Sequence, residues 1–316
     1  VFTQEAVDFM DRHQKDPFFL MLAYNAPHSP LQAPDKISKP YLESGLVPGT
    51  GITYAMNEVM DQGLGRLLET LDKLGLDDNT VVMFTSDNGP AFRLRPDQVP
   101  PGMDTATPRY NCGFNGQKGS VYEGGIRVPM VLRWPAGLDS SLRVDELVHF
   151  TDWLPTLLGL SGLDLPTDGR SLDGRDVLPI LRGEKAQDPP RRFWQLNAYQ
   201  PLGTVNAAMR DGDWKLVRPQ VPLKPVGPED KRLMARYIEL DIEYKYHPEN
   251  ITQLMDDPDP EMTFEAATPE LYDIAADPLE KDNLADQEPA RLSRMQGELD
   301  AWFEEVEHER SRIPPF

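Results

Sequence analysis

The chain has almost no cysteine. Cys112 is the only one in 316 residues, which excludes an internal disulfide framework and a cysteine-cluster zinc site. Positive charge is also scarce: 32 lysines and arginines face 52 aspartates and glutamates, a formal charge of −20. That balance argues against nucleic-acid binding, which needs a basic stripe, and against adhesion to an anionic membrane. No apolar run approaches the roughly 20 residues of a membrane-spanning helix. The glycine fingerprint of dinucleotide sites and the Gly-x-Ser-x-Gly elbow are both missing. So are internal repeats and low-complexity blocks. The chain opens at Val1 on a helix-forming stretch, without an initiator methionine or a signal peptide. This leads to the expectation of a processed product or a fragment.

What is present is ordinary globular material. Hydrophobic residues make up 39% of the chain, enough for a real core, and 23 glycines and 31 prolines imply long ordered loops. The length suggests about two domains. Phe2, Ala6, Phe9 and Met10 share one helical face. Residues 18–24 and 80–86 are continuous apolar runs of strand length, the habit of strands buried on both faces. Between them Met56, Val59, Met60, Leu64, Leu67, Leu68, Leu71 and Leu74 recur at helical spacing up to Gly75. This order predicts a right-handed crossover with the two strands parallel. A strand is expected at 127–134 and a helix at 148–160. Beyond about residue 186 the texture changes. Short strands at 192–198, 207–210, 214–217 and 270–274, a hairpin turn at Asp211-Gly212 and a helix over 290–310 predict a small antiparallel sheet with a helix. The expected organisation is an α/β domain over 1–185 and an α+β subdomain over 186–316.

Parallel α/β sheets bind ligands at the carboxyl ends of their strands. Two polar clusters fall there: Asn25 to Pro30, containing His28, and Asp87-Asn88-Gly89-Pro90. Asp87 and Asn88 offer hard oxygen donors suited to calcium or magnesium, or they form an ordinary Asp-Asn-Gly turn. His28, set between prolines, is either an acid or ligand or a loop histidine bonded to a backbone carbonyl. Lys118 lies in Gly116-Gln117-Lys118-Gly119-Ser120, which lacks the glycine of a P-loop, and is either an anion-binding lysine or a solvated one. Cys112 reads as a plain loop thiol. Asn250-Ile251-Thr252 fits a glycosylation acceptor, a triplet common by chance.

Taken in order, three segments carry a resemblance. They are Phe18-Phe19-Leu20 through Ala26-Pro27-His28; Thr85-Ser86-Asp87-Asn88-Gly89; and Gln117-Lys118-Gly119-Ser120-Val121-Tyr122-Glu123-Gly124-Gly125-Ile126-Arg127-Val128-Pro129. The chain resembles the arylsulfatase-type, formylglycine-dependent sulfatases of the alkaline phosphatase superfamily. Arg210 to Val217, Glu270 to Ile274, Asp277-Pro278 and Asn283-Leu284 resemble that family's C-terminal region. The resemblance implies a mostly parallel sheet between helices and a small C-terminal antiparallel sheet. It implies that Asp87 and Asn88 are ligands of a divalent metal, usually calcium (Ca2+), with magnesium (Mg2+) an alternative. It implies that His28 and Lys118 hold the substrate sulfate and assist departure of the alcohol or phenol. The implied substrate is a sulfated small molecule or a sulfated glycan, and the implied compartment is periplasmic, secreted or lysosomal.

The sequence departs from the family pattern in one block. The nucleophile, a hydrated formylglycine made from Cys or Ser in a Cys/Ser-x-Pro-x-Arg motif, has no source here: Cys112 is followed by Gly113-Phe114, and Ser38-Lys39-Pro40-Tyr41 continues with Leu42. The family's N-terminal pair of metal-binding aspartates is also missing. Asp77-Asp78 precedes a strand and Asp256-Asp257 lies in the C-terminal part. The expectation is the second half of a sulfatase catalytic domain plus its C-terminal subdomain, separated from the preceding half and inactive alone. Two alternatives stand beside it: a non-catalytic sulfatase-like binding protein, and a phosphate mono- or diester hydrolase of the same superfamily. Arg93, Arg95 and Arg109 are candidates for a local basic pocket in this acidic chain.

Overall fold

The computed structural model describes residues 1–165, 172–185, 190–251 and 258–312. Thr252 of the acceptor triplet, Asp256-Asp257 and residues 186–189 at the expected boundary lie outside them. The chain gathers into two compact units, Val1–Cys112 with Arg127–Pro189, and Gly113–Ile126 with Pro190–Phe316. The segment carrying Lys118 therefore belongs with the C-terminal residues, although 1–185 is expected to form one domain.

The first unit contains α1 (Phe2–His13), α2 (Asp35–Glu43), α3 (Pro48–Lys73) and β1 (Val82–Thr85). After α4 (Glu123–Ile126), which belongs to the second unit, it continues with β2 (Met130–Arg133), α5 (Trp153–Leu160) and α6 (Leu178–Leu181). Helix α1 buries Ala6 and Met10 on its apolar face and packs on α3. Gly63 of α3 permits that approach: a Cβ there would lie 2.7 Å from Thr3 Oγ1 and 2.9 Å from the Tyr24 hydroxyl. Helix α3 ends in a Schellman motif, with Gly75 at φ 66°, Gly75 N–H donating to Asp72 O and Leu76 N–H donating to Leu71 O. Its start lies eight residues before the expected periodic stretch, because Pro48 at the first turn suits a helix N-terminus.

The strand pairing differs from expectation. Residues 18–24 carry no ladder among the described residues, and Phe19 and Met21 are 74% and 79% exposed. The partner of β1 is β2, antiparallel, with Val82 opposite Arg133 and Thr85 opposite Met130. The expected parallel pair of 18–24 and 80–86 is thus corrected. An apolar run marks a strand that wants cover on both faces, but it does not say which strand lies beside it. Around 150 the expected helix is a 3₁₀ turn, Phe150–Asp152, leading into α5. Buried Asp152 accepts from the backbone N–H groups of His149 and Arg175, tying the turn to the chain before α6.

The second unit is built on an antiparallel sheet ordered β3 (Arg192–Gln195), β4 (Ala207–Asp211), β5 (Trp214–Arg218) and β8 (Glu270–Asp273). A minor ladder pairs β6 (Lys224–Pro225) with β7 (Met262–Thr263), on either side of α7 (Pro228–Tyr246), and α8 (Pro289–Arg310) closes the chain. Gly212, at φ 59°, makes the β4–β5 turn. Strand alternation gives the sheet two different faces. Ala207, Met209, Leu216 and Leu271 pack with Met295 and Leu299 of α8, and Phe193 stacks on Trp302 at 4.9 Å. On the other face Ala208, Val217, Tyr272 and Ile274 pack with Val121 and Tyr122. The segment Gly113–Ile126 is therefore the second cover of this sheet. Among the described residues no helix is long and apolar enough to cross a membrane.

Candidate functional site

The Lys118 loop is the most heavily built feature among the sequence-predicted site residues. Gly116 and Gly119 take φ of 77° and 89°, the left-handed region that glycine enters without steric cost. Ser120 N–H donates to Gln117 O, and the Ser120 hydroxyl donates to the same carbonyl while accepting from Gln117 N–H. Behind the loop, α4 approaches so closely that a Cβ on Gly124 would lie 2.5 Å from Asn115 O, and one on Gly125 would lie 2.0 Å from Ser120 O. Lys118 stands at the tip, exposed, and its ammonium makes no ion pair among the described residues.

Below the loop lies a buried ion cluster. Lys215 Nζ, wholly buried on β5, donates to Glu123 Oε1 at 2.8 Å and to Glu280 Oε1 at 2.7 Å. Glu280 Oε2 accepts from the backbone N–H of Glu123 at 2.8 Å. Burial raises the Glu280 carboxyl above its ordinary range, and the opposing pull of Lys215 is the smaller effect. Beside the cluster, the hydroxyls of Tyr122 and Tyr272 both donate to Glu270 Oε2 at 2.7 Å. Burial first, and that carboxylate second, push both phenols far up, so they remain protonated donors.

Asp87 and Asn88 follow β1 in the first unit. The Asn88 amide nitrogen donates to Gly89 O at 2.9 Å, which leaves Oδ1 as its open oxygen. Asp87 is exposed, and its carboxylate makes no hydrogen bond or ion pair among the described residues. Two adjacent hard oxygens with no competing partner suit a calcium or magnesium shell, but calcium takes six to eight. Among the described residues no group of three or more His, Cys, Asp and Glu side chains is placed to hold a metal. The pair is chemically fit for such an ion and by itself would fill only part of a shell.

His28 sits in the same unit on an exposed loop, with cis peptide bonds at Ala26–Pro27 and Ser29–Pro30. Its Nδ1 lies 2.7 Å from Ser29 O. A carbonyl only accepts, so Nδ1 carries the proton and Nε2 is the free position. The loop-histidine alternative and the acid alternative are thus compatible: one nitrogen is spent on the backbone and the other is available. Of the three arginines, Arg95 is paired with Asp97 and Arg93 donates to Thr105 Oγ1. Arg109 donates to Ala91 O at 2.7 Å, three residues beyond Asn88, and burial lowers its pKa. Cys112 is exposed and free.

Asp87, Asn88 and His28 belong to one unit and Lys118 to the other. Glu123, Glu280, Tyr122, Glu270 and Asn206, which support the Lys118 loop, carry no role in the sequence reading. Glu123 and Tyr122 were inside the resembling motif, and Lys215 was an isolated lysine in an apolar strand, which is a usable signal of a buried ion pair. Glu280 and Asn206 had none.

The chain is similar to known proteins along most of its length. The sulfatase family profile matches residues 1–163, and the profile for the C-terminal part of N-sulphoglucosamine sulphohydrolase matches 114–221. A sulfatase of Escherichia coli (strain K12), YdeN, itself uncharacterized, is 32% identical over 93% of this chain and 48% of its own length. Human steryl-sulfatase is 34% identical over 71% of this chain and 36% of its own. The crystal structure of Ps i-CgsB in complex with k-i-k-neocarrahexaose superposes with a TM-score of 0.69 at 26% identity, over 95% of this chain and 53% of that one. The putative sulfatase yidJ of Bacteroides fragilis shares the fold, with a TM-score of 0.61. The chain thus spans only part of these relatives: 36% of human steryl-sulfatase, 48% of YdeN and 53% of Ps i-CgsB. With the α/β fold of those structures and a profile match over more than half its residues, the chain belongs to the sulfatase family.

Proposed function

We propose that the chain is part of a sulfuric ester hydrolase that releases inorganic sulfate from a sulfated carbohydrate or an aryl sulfate. The observation that carries this reading is the Lys118 loop, where two left-handed glycines, a close-packed helix and a buried ion cluster support one exposed, unpaired ammonium. Such scaffolding suits a cation meant for an external anion. A solvated surface lysine needs none of it.

Each residue takes a role its chemistry allows. Lys118 binds a sulfate oxygen through a charge-assisted hydrogen bond. His28, held through Nδ1 by Ser29 O, presents Nε2; as the imidazolium it gives that proton to the leaving oxygen, on which negative charge builds as the S–O bond breaks. Asp87 and Asn88 Oδ1 would hold Ca2+ or Mg2+, which when bound polarises sulfate oxygens. Arg109 is a candidate contact for further anionic groups of the substrate. The nucleophile, formylglycine in this chemistry, has no precursor motif in the 316 residues and is assigned to sequence outside them. The oligosaccharide in the Ps i-CgsB complex favours a sulfated glycan as substrate. The compartment proposed is periplasmic, secreted or lysosomal.

Titration calorimetry with inorganic sulfate tests the reading. Lys118→Ala is expected to weaken binding about 10- to 100-fold, the scale of one hydrogen bond to a charged group. Unchanged affinity would remove Lys118 from the site. The purified chain is expected to show no turnover of an aryl sulfate, and steady hydrolysis would overturn the placement of the nucleophile.

A further inference from the structure

Asn206 stands just before β4 with φ of 47°, in the left-handed region that asparagine tolerates better than most residues, and it is 2% exposed. All its side-chain hydrogen bonds go to backbone. Oδ1 accepts from Val121 N–H at 3.2 Å. Nδ2 donates to Gly119 O at 2.8 Å and to Leu196 O at 2.7 Å. Its own main chain is tied as well: its N–H donates to Pro219 O and its carbonyl accepts from Leu196 N–H. One buried amide therefore joins the residue directly after Lys118, and the residue three after it, to the chain leaving β3 and β5. Within the turn the Gln117–Ser120 pair is a local restraint that moves with it. Gly116 and Gly119 allow the turn many alternative backbone paths, so a fixed loop needs an outside anchor.

We propose that Asn206 is the positioning residue for Lys118: its carboxamide brackets the 116–121 turn to the C-terminal sheet and so presents the lysine ammonium to a sulfate group in one place. The proposal rests on the reading of Lys118 as a sulfate-binding residue, and it deepens that reading by naming what holds the lysine still. The contacts of Lys215 with Glu123 and Glu280 lie beyond the turn, under α4.

The test is native-state trypsin cleavage of the purified chain. Asn206→Gly suits the left-handed backbone and deletes only the side chain. Asn206→Asp keeps the size and the Val121 contact but turns a carboxylate oxygen toward the Gly119 and Leu196 carbonyls. Cleavage after exposed Lys118 reports the turn, and cleavage after Lys215, buried in β5, reports opening of the whole unit. Both variants are expected to speed cleavage after Lys118 at least tenfold relative to Lys215. Rates that rise together would make Asn206 a general structural residue, and rates that do not move would deny the bracket; either overturns the proposal. Calorimetry with inorganic sulfate is run alongside on both variants and on Lys118→Ala. The Asn206 variants should lose affinity in the same direction as Lys118→Ala. If Lys118→Ala binds sulfate like the unaltered chain, the sulfate reading falls, while the cleavage ratio still decides whether the bracket exists.

Discussion

Replacing Lys215 with methionine removes the cation from a cluster that water does not reach. Lys215 and Glu280 side chains are 0% exposed and that of Glu123 is 4% exposed. The methionine fills most of the vacated space, so the main loss is electrostatic: Glu123 and Glu280 lose the ammonium that both contact. Breaking a buried pair in this way costs about 3–5 kcal/mol. At a urea slope of about 2 kcal/mol per molar, the unfolding midpoint of the second unit should fall by roughly 1.5–2.5 M. Trp194, Trp214 and Trp302 lie in that unit and Trp134 and Trp153 in the other. Fluorescence with the first-unit tryptophans replaced by phenylalanine therefore isolates the relevant transition. Adding Glu123→Gln and Glu280→Gln to Lys215→Met removes both stranded charges and should recover about half the loss. A shift below about 0.5 M for Lys215→Met, or no recovery in the triple variant, would refute the reasoning. The cluster would then be solvated, or already neutral through protonation of a carboxylate.

Two further outcomes follow from the same unit and from its neighbour. Because burial raises the Glu280 carboxyl above its ordinary 4.5, the folded state binds more protons than the unfolded one above that pH. Its contribution is thus most favourable in acid, declines as pH rises from about 4.5 through the folded pKa, and is level beyond it. The difference in urea midpoint between the unaltered chain and Glu280→Gln should follow that slope across a pH series. A pH-independent difference would contradict the raised pKa. Gly174→Ala should destabilise the first unit by about 1–3 kcal/mol in thermal unfolding, since its Cβ would lie 1.8 Å from Thr151 O, a backbone atom with no rotamer to yield. A neutral substitution would mean that the turn at Phe150–Asp152 adjusts freely.

The parts of the fold that were legible in sequence are those whose signal is local. The period of Leu292, Met295, Leu299 and Trp302 announces α8, Asp211-Gly212 announces the β4–β5 hairpin, and the weak alternation over Ala207 to Arg210 announces a strand of a small antiparallel sheet. Helix α7 was not legible: only Leu233 is buried, so no apolar stripe exists to read. Helix α2 was hidden in a proline-rich stretch, with Pro34 as its cap and Pro40 inside it. The pairing of β1 with β2 spans more than forty residues and leaves no mark on either strand. For the site, residue types were readable and their supports were not. Lys118 stood in a specific motif, whereas the amide that brackets its turn lies 87 residues away from Gly119. The His28 ring was readable as a candidate, but only the structure shows which nitrogen is spent on Ser29 O.

The excursion of Gly113–Ile126 into the second unit has a consequence for synthesis on the ribosome. Glu123 is made 92 residues before Lys215 and 157 before Glu280. At about 5–20 residues per second, that interval is on the order of 8–30 s. For the first part of it, until β4 and β5 are made, the double glycine and the lysine turn have no sheet to rest against, and Glu123 lacks Glu280 until the end. A nascent chain paused before β4 therefore exposes Val121 and Tyr122, a short apolar stretch suited to a holding chaperone, and its release should coincide with emergence of β4 and β5.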